Sequence, residues 1–229
     1  MKKAYLPIAL TAAAALALPA MAETKSYDVR NFDGLDVSAG IQVEFETGVS
    51  RYVSVENKDG NFDDIIVEVD DGDLILKRPR KMGWGRKRPS YTVRVGVETL
   101  SDIEASSGSH VEGAGLTGEV DIDVSSGAHV AVSDIQATEV DLEASSGSSL
   151  EASGSCTEVD AEASSGADIR AGGLQCTALV ADVSSGASIR AYATDRVDAD
   201  ASSGGSVRVE GGATNVTIDK SSGGSVNVG

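Results

Sequence analysis

Two sets of acidic residues recur at fixed distances from a repeated Ser-Ser-Gly tripeptide. One set stands six residues before the glycine, and the other stands four residues before it. In four consecutive repeats they are Asp102, Glu104, Asp121, Asp123, Asp141, Glu143, Asp160 and Glu162. Carboxylates stacked at strand spacing repel one another, and Ca²⁺ accepts oxygen ligands from flexible carboxylates. Two interpretations stay open: a surface that binds Ca²⁺ weakly, or a solvated face that keeps a flat sheet from associating.

The two cysteines of the chain occupy equivalent positions in neighbouring repeats. Cys156 and Cys176 each precede the glycine of their own Ser-Ser-Gly by ten residues. If the repeats stack in register, the two Cα atoms lie about 4.8 Å apart, within the span that a disulfide bridges. We therefore predict a Cys156–Cys176 disulfide between neighbouring repeats, with two free thiols as the alternative. Two cysteines without companion ligands do not make a zinc site.

Residues 77–89, called the basic segment below, differ in chemistry from the rest of the chain. The segment contains no acidic residue, and its prolines and glycines favour a loop. The side chains with binding chemistry are Lys77, Arg78, Arg80, Lys81, Trp84, Arg86, Lys87 and Arg88. Basic groups around an aromatic ring suit the phosphates or carboxylates of an envelope polysaccharide or a lipid head group. The alternative is a loop that folds against the acidic surface of the protein itself.

The other candidate residues argue against catalysis. His110 and His129 share a column two residues past the glycine and suit a transition metal or a pH sensor, but the chain has no third histidine. Arg170, Arg190 and Arg208 share another column. An active site needs acids in differing environments, whereas these repeats carry the same acids on each turn. We therefore expect a non-catalytic protein, with a carbohydrate-active β-helix enzyme as the alternative.

The Ser-Ser-Gly repeats predict the architecture. Their glycines are Gly108, Gly127, Gly147, Gly166, Gly186, Gly204 and Gly223, in steps of 18 to 20 residues. Apolar residues recur seven, five and three residues before most of these glycines and three residues after each of them, a period of two that indicates strands. Strands that recur at a constant step with the same inward residues stack as turns of a solenoid. We predict an all-β, right-handed parallel β-helix (β-solenoid) with turns of about 19 residues.

Residues 23–100 carry the same pattern in a degraded form. Asp70-Asp71-Gly72 separates two apolar runs as in a hairpin or a wider turn, and Val93, Val95 and Val97 lead into the regular array. Terminal repeats of solenoids are atypical because they cover the open end of the core. The expected organisation is a signal peptide over 1–22, an irregular cap over 23–100 that includes the basic segment, and a regular solenoid over 101–229.

Several motifs resemble those of a known family. The run Phe32-Asp33-Gly34-Leu35-Asp36-Val37, the run Asp71-Gly72-Asp73-Leu74-Ile75-Leu76 and the serial Ser-Gly corners are similar to those of the head GIN domain family. This resemblance covers nearly all of the mature chain. It implies an autotransporter-adhesin-like protein that binds at a surface, and it carries no catalytic residues across.

The N-terminus has the pattern of a secretory signal peptide. Lys2 and Lys3 precede an apolar run over residues 4–18, and Ala20-Met21-Ala22 precedes Glu23. We expect cleavage after Ala22 and a mature chain in the periplasm or at the cell surface, without a transmembrane segment. An uncleaved anchor is the alternative.

The charge of the chain limits the classes of partner that such an exported protein could bind. The formal net charge is -17, and from Ser101 onward acidic residues outnumber basic ones about four to one. This surface disfavours nucleic acid and attracts cations. We expect no cofactor beyond weak Ca²⁺ binding, and a partner that is an envelope polysaccharide, a lipid head group or another surface protein. The pattern leaves the oligomeric state open.

Overall fold

The computed structural model of the protein describes residues 22–79 and 89–229. These residues form seventeen strands and no helix, so none of them lies in a helix that could span a membrane. The strands are β1 (Glu23–Tyr27), β2 (Gly34–Val37), β3 (Gln42–Glu46), β4 (Tyr52–Asn57), β5 (Ile66–Asp70), β6 (Asp73–Lys77), β7 (Thr92–Gly96), β8 (Asp102–Ala105), β9 (His110–Ala114), β10 (Thr117–Val124), β11 (His129–Ala144), β12 (Ser149–Ala163), β13 (Asp168–Val183), β14 (Ser188–Ala201), β15 (Ser206–Glu210), β16 (Asn215–Lys220) and β17 (Ser225–Val228). The predicted signal peptide lies outside the described residues except for Ala22.

The strands stack in parallel as the repeat predicts. Each of the strands β11 to β14 runs from one Ser-Ser-Gly corner to the next, so one bent strand makes most of a turn. The register joins equivalent residues, since Val140 pairs with Val159 and Val159 pairs with Leu179. The predicted β-solenoid with turns of about 19 residues is confirmed, and the stack has about 7 turns.

Each Ser-Ser-Gly corner is a tight turn with two left-handed residues. At the first corner Ser107 has a φ of 54° and Gly108 has a φ of 70°. The N–H of Ser109 donates to the carbonyl of Ser106 at 3.1 Å, which completes a turn of type I′. The N–H of Gly108 donates to the carbonyl of Ser126 at 3.2 Å, so the backbone links this corner to the next one along the stack.

The core is a narrow column of small apolar side chains between the faces of the turns. Ile122, Leu142, Ala161 and Ala181 follow one another on adjacent strands, and each is at most 1% exposed. An alanine buries little area, and each Å² contributes only about 25 cal/mol. The stability of the solenoid therefore comes from stacking many turns, because no single turn buries enough surface to fold alone.

The first turns of the stack do not follow the order of the chain. Strands β2 and β3 form one turn, and β6 and β7 form another. β2 lies between β6 and β8, and β3 lies between β7 and β9. We expected Val93, Val95 and Val97 to lead into the regular array, and the structure places β3 between β7, the strand of Val93 and Val95, and β9. Parallel pairing needs only a matching pattern of inward residues. This pattern fits β7 beside β9 as well as it fits β3 beside β9, so the sequence does not distinguish the two strand orders.

Antiparallel strands cover this end of the core. β5 pairs with β6 across the turn at Asp71 and Gly72, which makes the hairpin that was one of the two expectations for this run. β4 pairs antiparallel with β7, and β1 pairs antiparallel with β4. Val53 and Val55 of β4 and the nearby Tyr91 are at most 1% exposed. The end of the core that lies beside β6 and β7 is therefore closed.

The other end of the core is uncovered. Strands β16 and β17 form the last turn, and each pairs with the preceding turn. Val216 and Ile218 stand in the inward columns beside Val197 and Ala199, yet they are 41% and 39% exposed. No further turn among the described residues lies over them.

Candidate binding surfaces

The predicted disulfide is present. Cys156 of β12 and Cys176 of β13 are direct partners in the parallel register, with their Cα atoms 4.5 Å apart. Their sulfur atoms form a Cys156–Cys176 bond that closes a separation of 20 residues. The bond links two neighbouring turns at the same column and so opposes their separation.

The eight predicted carboxylates form two parallel columns on one outward face, called the acidic columns below. In the first column Asp102 pairs with Asp121, which pairs with Asp141, which pairs with Asp160. The second column is made of Glu104, Asp123, Glu143 and Glu162, in the same register. Within residues 22–79 and 89–229, no group of three or more acidic, histidine or cysteine side chains is arranged to hold a metal ion.

Burial and mutual repulsion raise several pKa values in the acidic columns. Burial, followed by the charges of Asp121 and Asp73, raises the pKa of Asp102 to about 6. Burial is also the first cause at four more of the predicted residues whose pKa is raised, namely Glu104, Asp121, Glu143 and Asp160. The folded protein therefore holds these groups in an environment that disfavours their ionised form, and a nearby cation would relieve it.

Asp73 joins this face although the sequence did not indicate it. Gly34 of β2 pairs with Asp73 on one side and Asp102 on the other. Gly34 has no side chain, and a Cβ atom built there would meet the Asp73 carboxylate. Burial raises the pKa of Asp73, and the charges of Asp36 and Asp33 add to this effect. Aligning β6 with β2 on their inward residues would have placed Asp73 in the first acidic column.

A shallow groove runs along the second acidic column. It has a volume of about 240 Å³ and lies between the carboxylates and the first serines of the corners. The polar residues that line it are Asp123, Glu143, Glu162, Asp182, Asp200, Ser145, Ser164, Ser184 and Ser202. Its walls repeat with the turns, so every section of the groove offers the same chemistry.

The basic segment stands where other turns have their corner. β6 ends at Lys77 and β7 begins at Thr92, so residues 78–91 replace the short Ser-Ser-Gly turn. The Lys77 side chain is 40% exposed and pairs with Glu68 at 2.8 Å. The predicted residues Arg80, Lys81, Trp84, Arg86, Lys87 and Arg88 lie outside the described residues.

Arg78 of the basic segment is engaged inside the protein. Its side chain is only 7% exposed and pairs with Asp64 at 3.1 Å. Its other nitrogens donate to the carbonyls of Ala39 at 2.9 Å and Pro89 at 2.7 Å. The guanidinium also lies over the ring of Tyr91, 4.9 Å from its centroid. We predicted Arg78 as part of an anion-binding loop. In the structure its guanidinium connects the base of the loop to the neighbouring turn.

The two histidines stack on each other. The ring centroids of His110 and His129 are 4.7 Å apart, and the rings are nearly parallel. His110 Nε2 lies 2.7 Å from the Glu112 carboxylate. Burial, followed by the charge of His110, lowers the pKa of His129. The arrangement therefore favours a neutral His129, and the pair fits surface packing of ring neighbours.

Three arginines form a second charged column, called the arginine ladder below. Arg170, Arg190 and Arg208 are direct partners on β13, β14 and β15, and all three are exposed. They lie after the corners, on a different part of each turn from the acidic columns. The solenoid therefore presents carboxylates along one face and guanidinium groups along another.

These features define a class of protein: a parallel β-solenoid that is covered at one end and displays repeated polar columns on its faces. The chain belongs to the family described as putative auto-transporter adhesin, head GIN domain, whose model matches residues 31–213. The resemblance that the motifs predicted is confirmed. Family membership supports an adhesin-like module. No curated protein matches the chain in sequence.

Solved structures share the fold. A putative adhesin from Bacteroides fragilis has a TM-score of 0.80 and 19% identity, over 90% of this chain and 96% of that one. A putative lipid binding protein from Parabacteroides distasonis has a TM-score of 0.71 and 18% identity, over 92% and 98%. A putative adhesin from Parabacteroides merdae has a TM-score of 0.70 and 16% identity, over 92% and 97%. At these identities the likeness concerns the fold alone.

Proposed function

We propose that the protein is exported and acts as a non-catalytic binding module of the cell envelope, in the periplasm or at the cell surface. The observation that carries this proposal is the repetition of the outward columns, which offer one chemistry on successive turns and hence an extended contact surface. The signal-peptide pattern before Glu23 supports export. The Cys156–Cys176 disulfide supports an oxidising compartment.

The uniform acidic columns favour binding over catalysis. General acid and base residues need pKa values that are driven apart by different surroundings. Here the resolved shifts of neighbouring carboxyls all go upward, with burial as the common first cause. A carbohydrate-active enzyme is the alternative. It would release reducing ends from an envelope polysaccharide, and the proposed module would bind the polysaccharide without cleaving it.

The basic segment is the proposed anion contact of the module. Its support is that a long connection follows Lys77 and replaces the Ser-Ser-Gly corner of one turn. The binding side chains of this connection are Arg80, Lys81, Trp84, Arg86, Lys87 and Arg88. Basic side chains near an aromatic ring bind phosphate or carboxylate groups of polysaccharides and lipid head groups. Arg78 is left out of this proposal because its side chain is buried among partners of its own.

Cell fractionation and a binding assay on envelope extracts test the proposal together. The matched variants are a chain in which Ser-Gly linkers replace residues 80–88 and a chain with glutamine at the basic positions of that stretch. We expect the wild-type protein in the periplasmic or surface fraction, and weaker retention of both variants on the extracts. A cytoplasmic protein, or retention that is equal for all three chains, would contradict the proposal.

A second candidate function is weak Ca²⁺ binding along Asp102, Glu104, Asp121, Asp123, Asp141, Glu143, Asp160 and Glu162. The raised pKa values support it, because a cation offsets the cost of neighbouring carboxylates. Calorimetry and thermal melting with millimolar Ca²⁺ test it, with Mg²⁺ as the comparison ion. Absence of both heat and a melting shift would exclude it.

A further inference from the structure

The arginine ladder is built from residues that have few partners in the protein. Arg170 pairs with Asp168 on its own strand at 2.5 Å, and it donates to the Ser149 hydroxyl at 3.4 Å. Arg190 and Arg208 are exposed, and neither makes a side-chain hydrogen bond or an ion pair within residues 22–79 and 89–229. Like charges on adjacent strands, about 4.8 Å apart, repel each other unless an anion lies between them.

The order of charges along this column shows that the ladder is not built for internal pairing. The column reads Arg94, Glu44, Glu112, Ala131, Glu151, Arg170, Arg190, Arg208 and Asn227 in successive turns of the stack. Where internal pairing occurs, the signs alternate, since Arg94 lies 3.1 Å from both Glu44 and Glu56. At the ladder the positive charges are grouped. A grouped column leaves guanidinium groups available to an outside anion.

The residues around the ladder favour an anion that also has an apolar ring face. Tyr192 follows Arg190 by two residues on β14, on the same outward side, and its ring is half-buried. Its hydroxyl makes no hydrogen bond within the described chain. Asp168, the acid that pairs with Arg170, is replaced by a serine on the next two turns, Ser188 and Ser206. Arg190 and Arg208 therefore have no acid at the equivalent position. Guanidinium groups bind carboxylates bidentately, and a tyrosine ring packs on sugar rings.

We propose that the arginine ladder binds a linear anionic polysaccharide with a carboxylate on successive sugars. The inference rests on the proposed function as an envelope-binding module and names the ligand class of one of its faces. Neighbouring strands lie about 4.8 Å apart, and a pyranose ring in an extended glycan advances by a similar distance. Carboxylates on the side of the glycan that faces the solenoid are then separated by about a whole number of strand spacings, so they meet arginines of the ladder while the glycan runs along the axis of the solenoid.

Neighbouring acids favour this ligand over an anionic membrane. Glu151 is the next residue of the column beyond Arg170, and Glu210 lies beside Tyr192 on β15. A flat bilayer that touched the ladder would also meet these carboxylates and those of Glu112 and Glu44 farther along. A glycan segment that spans only the turns of Arg170, Arg190 and Arg208 ends before Glu151 and therefore meets fewer of these carboxylates than a flat bilayer does. Its attraction to the ladder is electrostatic, so added salt weakens it.

Binding to polygalacturonate tests the inference, with the full chain and neutral dextran as the polymer control. The variant Arg190→Gln/Arg208→Gln is compared with Arg196→Gln, which removes an exposed arginine from the same strand β14 but outside the column. We expect the double variant to lose about ten-fold or more in affinity. Arg196→Gln should lose less than about two-fold. The conservative variant Arg190→Lys/Arg208→Lys should bind at an intermediate level, because it keeps the charge and loses the fork of donors.

Three results would overturn the inference: no binding of wild-type protein to polygalacturonate at low salt, equal losses in the double and control variants, or tighter binding to phosphatidylglycerol vesicles than to the polymer. Far-ultraviolet circular dichroism and melting temperature show whether each variant is folded, and an intermediate lysine variant supports the role of the fork independently. Wild-type protein that is retained on envelope extracts but does not bind polygalacturonate would contradict this inference and leave the proposed function standing. Binding to the polymer by a protein found only in the cytoplasm would support this inference and contradict the proposed function.

Discussion

Asp102 and Asp121 are direct partners on the parallel strands β8 and β10, and the pKa of each carboxyl is raised. The pKa of Asp102 is raised from 3.8 to about 6, so the folded state binds that proton more tightly than the unfolded chain does. The unfavourable charge is present above pH 6 and is removed as the pH falls toward 4.

The variant Asp102→Asn should therefore stabilise the protein at neutral pH. We expect a gain of about 1 kcal/mol in the free energy of unfolding at pH 7.5, after allowance for solvent screening of a partly exposed group. The gain should shrink to near zero at pH 4. Urea denaturation at the two pH values measures it.

Asp198→Asn is the matched control for this prediction. Asp198 stands in the same column, but its partners there are Val180 and Thr217 instead of acids. Its replacement should change stability by less than about 0.5 kcal/mol. Equal effects of the two substitutions would show that the repulsion within the column is negligible.

Removal of the disulfide should destabilise the solenoid without changing its fold. The variant Cys156→Ser/Cys176→Ser loses the constraint on a separation of 20 residues, and we expect a loss of about 2–3 kcal/mol. Denaturation of the oxidised wild type and the double variant gives the difference. Thiol titration of unreduced, denatured wild-type protein should find no free thiol, and two titratable thiols would rule out the bond in the isolated protein.

The left-handed backbone of the corners should make their glycines hard to replace. Gly147 has a φ of 71°, and a Cβ atom added there would meet nothing within 4 Å. Gly147→Ala should therefore cost about 1–2 kcal/mol from the backbone conformation alone. Gly172→Ala is the control, because Gly172 has equally open space and no positive φ. A loss at Gly172 that equals the loss at Gly147 would refute this reason.

Replacement of Arg78 should destabilise the protein at the base of the basic segment. Arg78→Gln leaves Asp64 and the carbonyls of Ala39 and Pro89 without their guanidinium donor, and we expect a loss of about 3 kcal/mol. Lys77→Gln removes the adjacent exposed charge and should change stability by less than about 1 kcal/mol. Thermal and urea unfolding compare the two. Similar small losses in the two variants would show that the contacts of Arg78 contribute little to stability.

The regular part of the fold could be predicted because one period governs all its columns. Once the glycines are aligned, the partners of Cys156 and of Asp121 are fixed, since stacking in parallel puts equivalent residues side by side. The disulfide and the two acidic columns followed from this alignment. The arginine ladder was visible in the same way, although the sequence did not show that Arg190 and Arg208 lack internal partners.

The second serine of the corners was less accessible to sequence reasoning. It has a φ between 47° and 54° at all seven corners, as in Ser107 and Ser222. A serine rarely adopts this conformation, so the tripeptide indicated only the freedom of its glycine. At four corners the stack supports this conformation, because the carbonyl of the second serine accepts the N–H of a neighbouring corner glycine, as Ser126 does from Gly108.

The sequence by itself determined the strands, their inward faces and the pairing within the regular array, because these depend on local alternation and a constant step. Only the tertiary structure decided that β2 lies between β6 and β8, which brings Asp73 next to Asp102 across Gly34. It also decided that Arg78 is buried. Both depend on contacts between distant parts of the chain. The sequence does not select among these contacts, because several turns have the same inward pattern and could pair with one another.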